Sequence, residues 1–150
     1  MSDSIQSALR NIEAFNNGDW NRLKDCLSDD VVYVDAPSKR TLKGAGHFID
    51  EYRNWKGAAP DCKGTVTHSV ASGSTVVVEV KWTGTNTGSL AGQPPTGKTW
   101  DVDGCQVITL EGGKIKALHQ YYDMLSLLKQ LGLAQRFPEG KAAAPPFKAA

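Results

Sequence analysis

Residues 75–110 read TVVVEVKWTGTNTGSLAGQPPTGKTWDVDGCQVITL. The run opens as a strand: Val76, Val78, Val80 and Trp82 fall on one side, with Glu79 and Lys81 on the other. It closes as another, in which Trp100, Val102, Gln106, Ile108 and Leu110 share a face, and Asp101, Asp103, Cys105, Val107 and Thr109 share the opposite one. Between them, Thr83–Trp100 carries four glycines and an adjacent proline pair, far more chain than the roughly two to five residues of a hairpin turn. A linker this long, in which Gly84, Gly88, Gly92 and Gly97 free the backbone and Pro94 and Pro95 stiffen it, is expected to cross the mouth of a curved sheet or to reach a neighbouring subunit.

Working outward, "EGG" signals a tight turn and "KIKALHQYY" returns as the last strand of a meander. Upstream, "GTVTHSV" is a further strand. Before residue 64 the period is helical. Ile5, Leu9, Ile12 and Phe15 form a stripe that Ser4 can cap and "NNG" ends. Asp19 can cap a second helix with Trp20, Leu23 and Leu27, and Phe48, Tyr52 and Trp55 mark a third. Between these, "VVYVD" is a short strand with Val31, Tyr33 and Asp35 on one side, and "APSKRTLKG" breaks the pattern. At the other end, "DMLSLLKQLG" is a short helix with Asp123 at its cap and Gly132 past its end.

Helices followed by antiparallel strands indicate an α+β domain, a curved antiparallel sheet wrapped over N-terminal helices as a cone with an internal pocket. The expected division is one domain over residues 1–137 and a mobile Ala/Pro-rich tail over 138–150. The 150 residues, 40 % hydrophobic, suffice for one core. Charge nearly cancels, 17 Lys and Arg against 16 Asp and Glu, which disfavours nucleic acid and membrane surfaces as partners. No segment has the length of a signal peptide core or a membrane span. Cys26, Cys62 and Cys105 are far apart and odd in number, the pattern of reduced thiols in a cytoplasmic protein without a zinc site.

"GTNTGSLAGQPPTGKTW", "EGGKI" and "YYDMLSLLKQLG", in that order, resemble the SnoaL-like polyketide cyclase (ester cyclase) family of the nuclear transport factor 2-like superfamily. The resemblance runs from about Ala8 to Leu133 and includes "FNNGDWNRL", "VVYVDAP", "LKGAGHFIDEY" and "AAPDCKGTVTHSV". It departs from the family pattern at Asn86, where His is common, and at His119, where Trp is common.

The resemblance implies intramolecular aldol chemistry on a small hydrophobic or aromatic carbonyl compound, without metal or cofactor, in a homodimer. It makes Asp123 the general acid/base. Read from the residue alone, Asp123 is a helix cap, and one side chain can play both parts. His119 is a second acid/base or orienting group, although four strand positions separate it from Asp123 by roughly 13 Å. Asp35 is the rival base, placed where ketosteroid isomerases of the superfamily carry theirs. The oxyanion donors of those enzymes fall near Phe15 and Cys105, neither of them suited to the task. Tyr33, Phe15, Trp55, Trp82, Asn86, Trp100 and Tyr121 complete the expected ligand-binding set. Two other functions stay open: an isomerase or epoxide-hydrolase-like enzyme using Asp35, and a non-catalytic domain that binds a small ligand or dimerises. Asp101 and Asp103 read as a solvated outer face.

Overall fold

The computed structural model describes residues 3–134. The tail expected to be mobile lies outside them. Two helices open the chain, α1 (Asp3–Asn17) and α2 (Trp20–Asp25). The first ends at Gly18, whose φ of 63° suits glycine, and Ser4 lies inside it rather than at its cap. The Asp19 carboxylate caps the second by accepting from the Arg22 amide at 3.0 Å.

The sheet consists of β1 (Leu27–Asp35), β2 (Arg40–Lys43), β3 (Lys63–Ser72), β4 (Thr75–Thr85), β5 (Thr99–Glu111) and β6 (Lys114–Tyr122). Helix α3 (Ala45–Ala58) precedes β3, and α4 (Met124–Gln130) follows β6. The strand order is β2-β1-β6-β5-β4-β3. From β3 to β6 the strands form the expected meander. The sheet as a whole is mixed, because β1 lies parallel to β6 while pairing antiparallel with β2. It is curved and does not close. Strand β2 corrects the reading of "APSKRTLKG" as a simple break: a turn after Asp35, bonded from the Lys39 amide to the Ala36 carbonyl at 3.2 Å, brings Arg40 directly opposite Asp35.

Helices α1 and α3 pack against the inner face, where Ile12, Phe15, Phe48 and Tyr52 share one buried core with Val76, Val78, Val80 and Ile108. Beneath them lies a closed polar knot. Asn11 donates to Gln106 Oε1 at 3.1 Å, Tyr52 Oη donates to Asn11, and Gln106 Nε2 donates to Tyr52 Oη at 3.1 Å. All three residues are buried, so each bond answers a desolvation cost that water cannot meet there.

The long linker proves to be tied down from within. Asn86 is buried, donating to the carbonyls of Ala58 and Gly88 and accepting from the Thr96 amide and hydroxyl. The Gly88 amide donates to Ala58 at 3.0 Å, and a Cβ at position 88 would stand 2.0 Å from the Gly57 carbonyl oxygen. Only glycine permits that approach. The segment therefore folds back on the end of α3.

Candidate functional site

Between the helices and the inner face of the sheet lies a hollow of about 50 Å³. Phe15 reaches it from α1, and Tyr52 and Trp55 from α3. Tyr33, Trp82, Trp100 and Val102 come from the sheet, Gln120 and Tyr122 from its last strand, with Cys62 and Leu127 at the edges. The rings interlock edge to face: Phe15 against Tyr52 at 5.3 Å and Trp82 at 5.4 Å, Trp55 against Trp100 at 6.2 Å and Tyr122 at 6.1 Å. Glycines make room for the two sheet indoles. A Cβ at position 64 would stand 2.6 Å from the Trp82 ring, and one at 84 would stand 2.9 Å from Trp100. Ligand sites usually enclose about 300–1,000 Å³, so a large ligand requires these rings to move.

A polar cluster adjoins the hollow through Tyr122. Its phenol donates to Asp35 Oδ2 at 3.3 Å. Asp35 stands at the end of β1, on the same side as Val31 and Tyr33, and is 1 % exposed. Its carboxyl also accepts from Arg40 Nη2 at 3.2 Å and from the Ser38 amide at 3.4 Å. Arg40 reaches back to Glu51 on α3 as well, so one half-exposed guanidinium bridges two buried carboxyl groups. Burial foremost, then the neighbouring Asp35, pushes the Tyr122 phenol well above its ordinary range. Burial does the same to Tyr52 and Tyr33. These phenols therefore keep their protons at neutral pH. Burial also pushes the Cys62 thiol up to about 12, which leaves it a poor nucleophile.

Of the residues expected from the sequence to bind a ligand, Tyr33, Phe15, Trp55, Trp82 and Trp100 line the hollow. Asp35 stands one hydrogen bond behind it. Asn86 does not reach it, because every polar atom of its amide is engaged in holding the linker. Nor does any residue of the linker from Thr87 to Lys98 line it, which sets aside a lid over the hollow.

Strand parity decides the remaining cases. Leu118, Gln120 and Tyr122 turn inward on β6, so His119 and Tyr121 lie on the outer face, Tyr121 46 % exposed. Cys105 likewise faces the outer groove beside Tyr121. Asp101 and Asp103 are on the solvated side, near Lys81. Asp123 points outward too. It caps α4, accepting from the Ser126 amide at 3.0 Å and hydroxyl at 2.6 Å, and the hydroxyl bond above all holds its carboxyl below the usual range. A carboxylate so placed borders a shallow surface groove, not the hollow. Among the described residues no cluster of His, Cys, Asp and Glu could hold a metal ion. Sequence reasoning missed Tyr52, Gln120, Tyr122, Arg40 and Glu51. Gln120 and Tyr122 were open to discovery from the inward parity of Leu118, but the pairing of Arg40 needed β2.

The family model for SnoaL-like polyketide cyclases matches residues 6–131. The chain belongs to that family. Among solved structures, a SnoaL-like polyketide cyclase, provisionally so assigned, from Jannaschia sp. CCS1 superposes with a TM-score of 0.80 at 20% identity, covering 86% of this chain and 91% of its own. IdmH of Streptomyces antibioticus, provisionally assigned as a polyketide cyclase, gives 0.77 at 22% identity, with 87% and 99% covered. A protein of ketosteroid isomerase-like fold from Catenulispora acidiphila, solved with trimethylamine, gives 0.74 at 20% identity, with 89% and 97% covered. At these identities the likenesses establish the fold of this SnoaL-like chain, with chemistry left to its own residues. A search of curated proteins finds no match.

Proposed function

We infer that this SnoaL-like protein is a cofactor-independent acid/base enzyme acting on a small aromatic carbonyl compound, with the Tyr122–Asp35 pair as its reacting groups. The observation that carries this reading is the bond from a phenol lining the hollow to a buried carboxyl behind it. A ligand carbon flanked by two carbonyls is acidic enough for one carboxylate to serve as its base. As the carbon–hydrogen bond breaks, its proton passes to the Tyr122 oxygen while the phenol's own proton passes to Asp35. The carbon–hydrogen electron pair becomes an enolate, which can attack a second carbonyl of the same molecule. Reversal of the relay then protonates the new alkoxide. Arg40 holds Asp35 in place and offsets its charge.

Asp123 has no comparable support, being a solvent-facing cap. The test is deuterium exchange at the acidic methylene of benzoylacetone, followed by NMR above the buffer rate. Asp35→Asn and Tyr122→Phe are expected to lower the protein-dependent rate roughly 100-fold or more, and Asp123→Asn to leave it unchanged. The opposite pattern, with folded variants, overturns the assignment.

The small volume of the hollow favours one competing reading, a ligand-binding domain without turnover. It predicts binding of aryl ketones with no protein-dependent exchange. We also expect a homodimer in the cytoplasm. Val70 and Tyr121, 48 % and 46 % exposed, lie on the outer side of the sheet and supply apolar surface for a second copy. Among the described helices none is long and apolar enough to cross a membrane. Sedimentation of Val70→Asp and Tyr121→Asp against the unaltered protein tests the dimer.

A further inference from the structure

Two polar atoms stand out in the apolar lining. Trp82 Nε1 and Gln120 Oε1 are buried without a hydrogen-bond partner among the described residues, and both residues, each 8 % exposed, line the hollow. Natural proteins leave few buried polar atoms unmatched, because each is destabilising unless water or a ligand meets it. Neither atom belongs to the polar knot of Asn11, Tyr52 and Gln106, in which bonds are made in full view of one another. Nor does the sequence need them for filling: a leucine or methionine at 120 and a phenylalanine at 82 would supply the same apolar volume.

The surroundings of the indole are built for it. Gly64 leaves space for its six-membered ring, and Gly104 leaves its N–H edge uncovered: a Cβ at 104 would stand 3.2 Å from Nε1. Trp82 pairs with Val102, and its N–H edge reaches Gly104, which pairs with Tyr122 two positions along β5 from the Gln106–Gln120 pair.

We propose that Trp82 and Gln120 are the specificity determinants of the hollow, selecting a hydroxylated aromatic ketone that accepts from the indole N–H and donates to the glutamine carbonyl. This rests on the reading that the hollow is a ligand site, and it concerns recognition, not proton transfer. Flat rings enter as the aromatic side chains move apart, and between those side chains a hydrocarbon would bind with equal ease. The two unmatched atoms are what distinguish an oxygenated ring from a bare one, because a ligand lacking the matching groups leaves them desolvated and unpaired.

The test is calorimetric titration with 3'-hydroxyacetophenone and with acetophenone, which lacks the donor. The unaltered protein is expected to prefer the hydroxylated ketone roughly tenfold. Gln120→Met is expected to abolish that preference while keeping acetophenone affinity. Trp82→Phe is expected to weaken both ketones, since both use the acceptor. Circular dichroism confirms folding, and Gln120→Met, which leaves the packing around the indole intact, remains informative should Trp82→Phe unfold. Absence of saturable binding, or an unchanged hydroxyl preference in Gln120→Met, overturns the proposal. Titrating Asp35→Asn separates it from the catalytic reading: the preference should survive there even where exchange at benzoylacetone is lost.

Discussion

Asp35 and Asp123 are both carboxyl groups at the end of a strand, and each is followed by a chain reversal or a helix. What separates them is the side of the sheet on which the strand ends. Asp35 shares the parity of Val31 and Tyr33 and is carried inward; Asp123 leaves β6 into solvent and is spent on α4. The cap role makes a prediction of its own. Asp123→Ala should destabilise the protein by about 1 kcal/mol in chemical denaturation at neutral pH, and Asp123→Asn by less, since Asn also caps. The Asp123 carboxyl titrates below its ordinary 3.8 in the folded protein. Its contribution is therefore present above the unfolded value and lost as pH falls through the folded one. Denaturation curves of Asp123→Asn and the unaltered protein should converge at acid pH; a gap that persists there would contradict the linkage.

At the scale of elements, the linker between β4 and β5 and the short β2 carry the main lessons. The glycines and prolines of Thr83–Trp100 announce an unusual connection, and its function as an anchor is visible only where Asn86 and Gly88 meet the end of α3. Asn86→Ala should leave several groups of the linker unpaired, costing about 1–3 kcal/mol and raising hydrogen exchange over residues 87–98. Gly88→Ala should do so by a different route, because its methyl meets a backbone oxygen that cannot step aside. Normal exchange in both variants would mean that the linker is held by other contacts. Strand β2 could not be read from "RTLK", since four exposed or half-exposed residues show no hydrophobic alternation. Yet its register alone sets Arg40 across from Asp35. Arg40→Met should destabilise by about 1–3 kcal/mol, less than for a fully buried ion pair because Arg40 is 49 % exposed.

Across the whole molecule, burial sorts the three cysteines. Desolvation pushes Cys26 up to about 11 and Cys62 up to about 12, while Cys105 is only half buried. A thiol reagent at pH 8 should react first at Cys105 and reach the other two as the protein unfolds. Because the folded values lie above the ordinary 9.0, the unfolded chain releases these protons first. The stability they contribute is full below that value and is lost as pH rises through about 11 to 12. Thermal unfolding between pH 8 and 10.5 checks the direction, and Cys26→Ser with Cys62→Ser should flatten the decline.

The sequence by itself determined the α+β order, the meander, the helix ends at Gly18, Asp19 and Asp123, and most of the aromatic wall, because these follow from local spacing and from backbone preferences carried by individual residues. Family membership was legible for the same reason: its motifs are ordered along the chain. Only the tertiary structure decided which acid stands behind the hollow, that Arg40 joins Asp35 to Glu51, and that Trp82 and Gln120 hold unmatched polar atoms. Those facts depend on strand register and on parallel pairing between β1 and β6, contacts between residues more than eighty positions apart whose geometry no local period encodes.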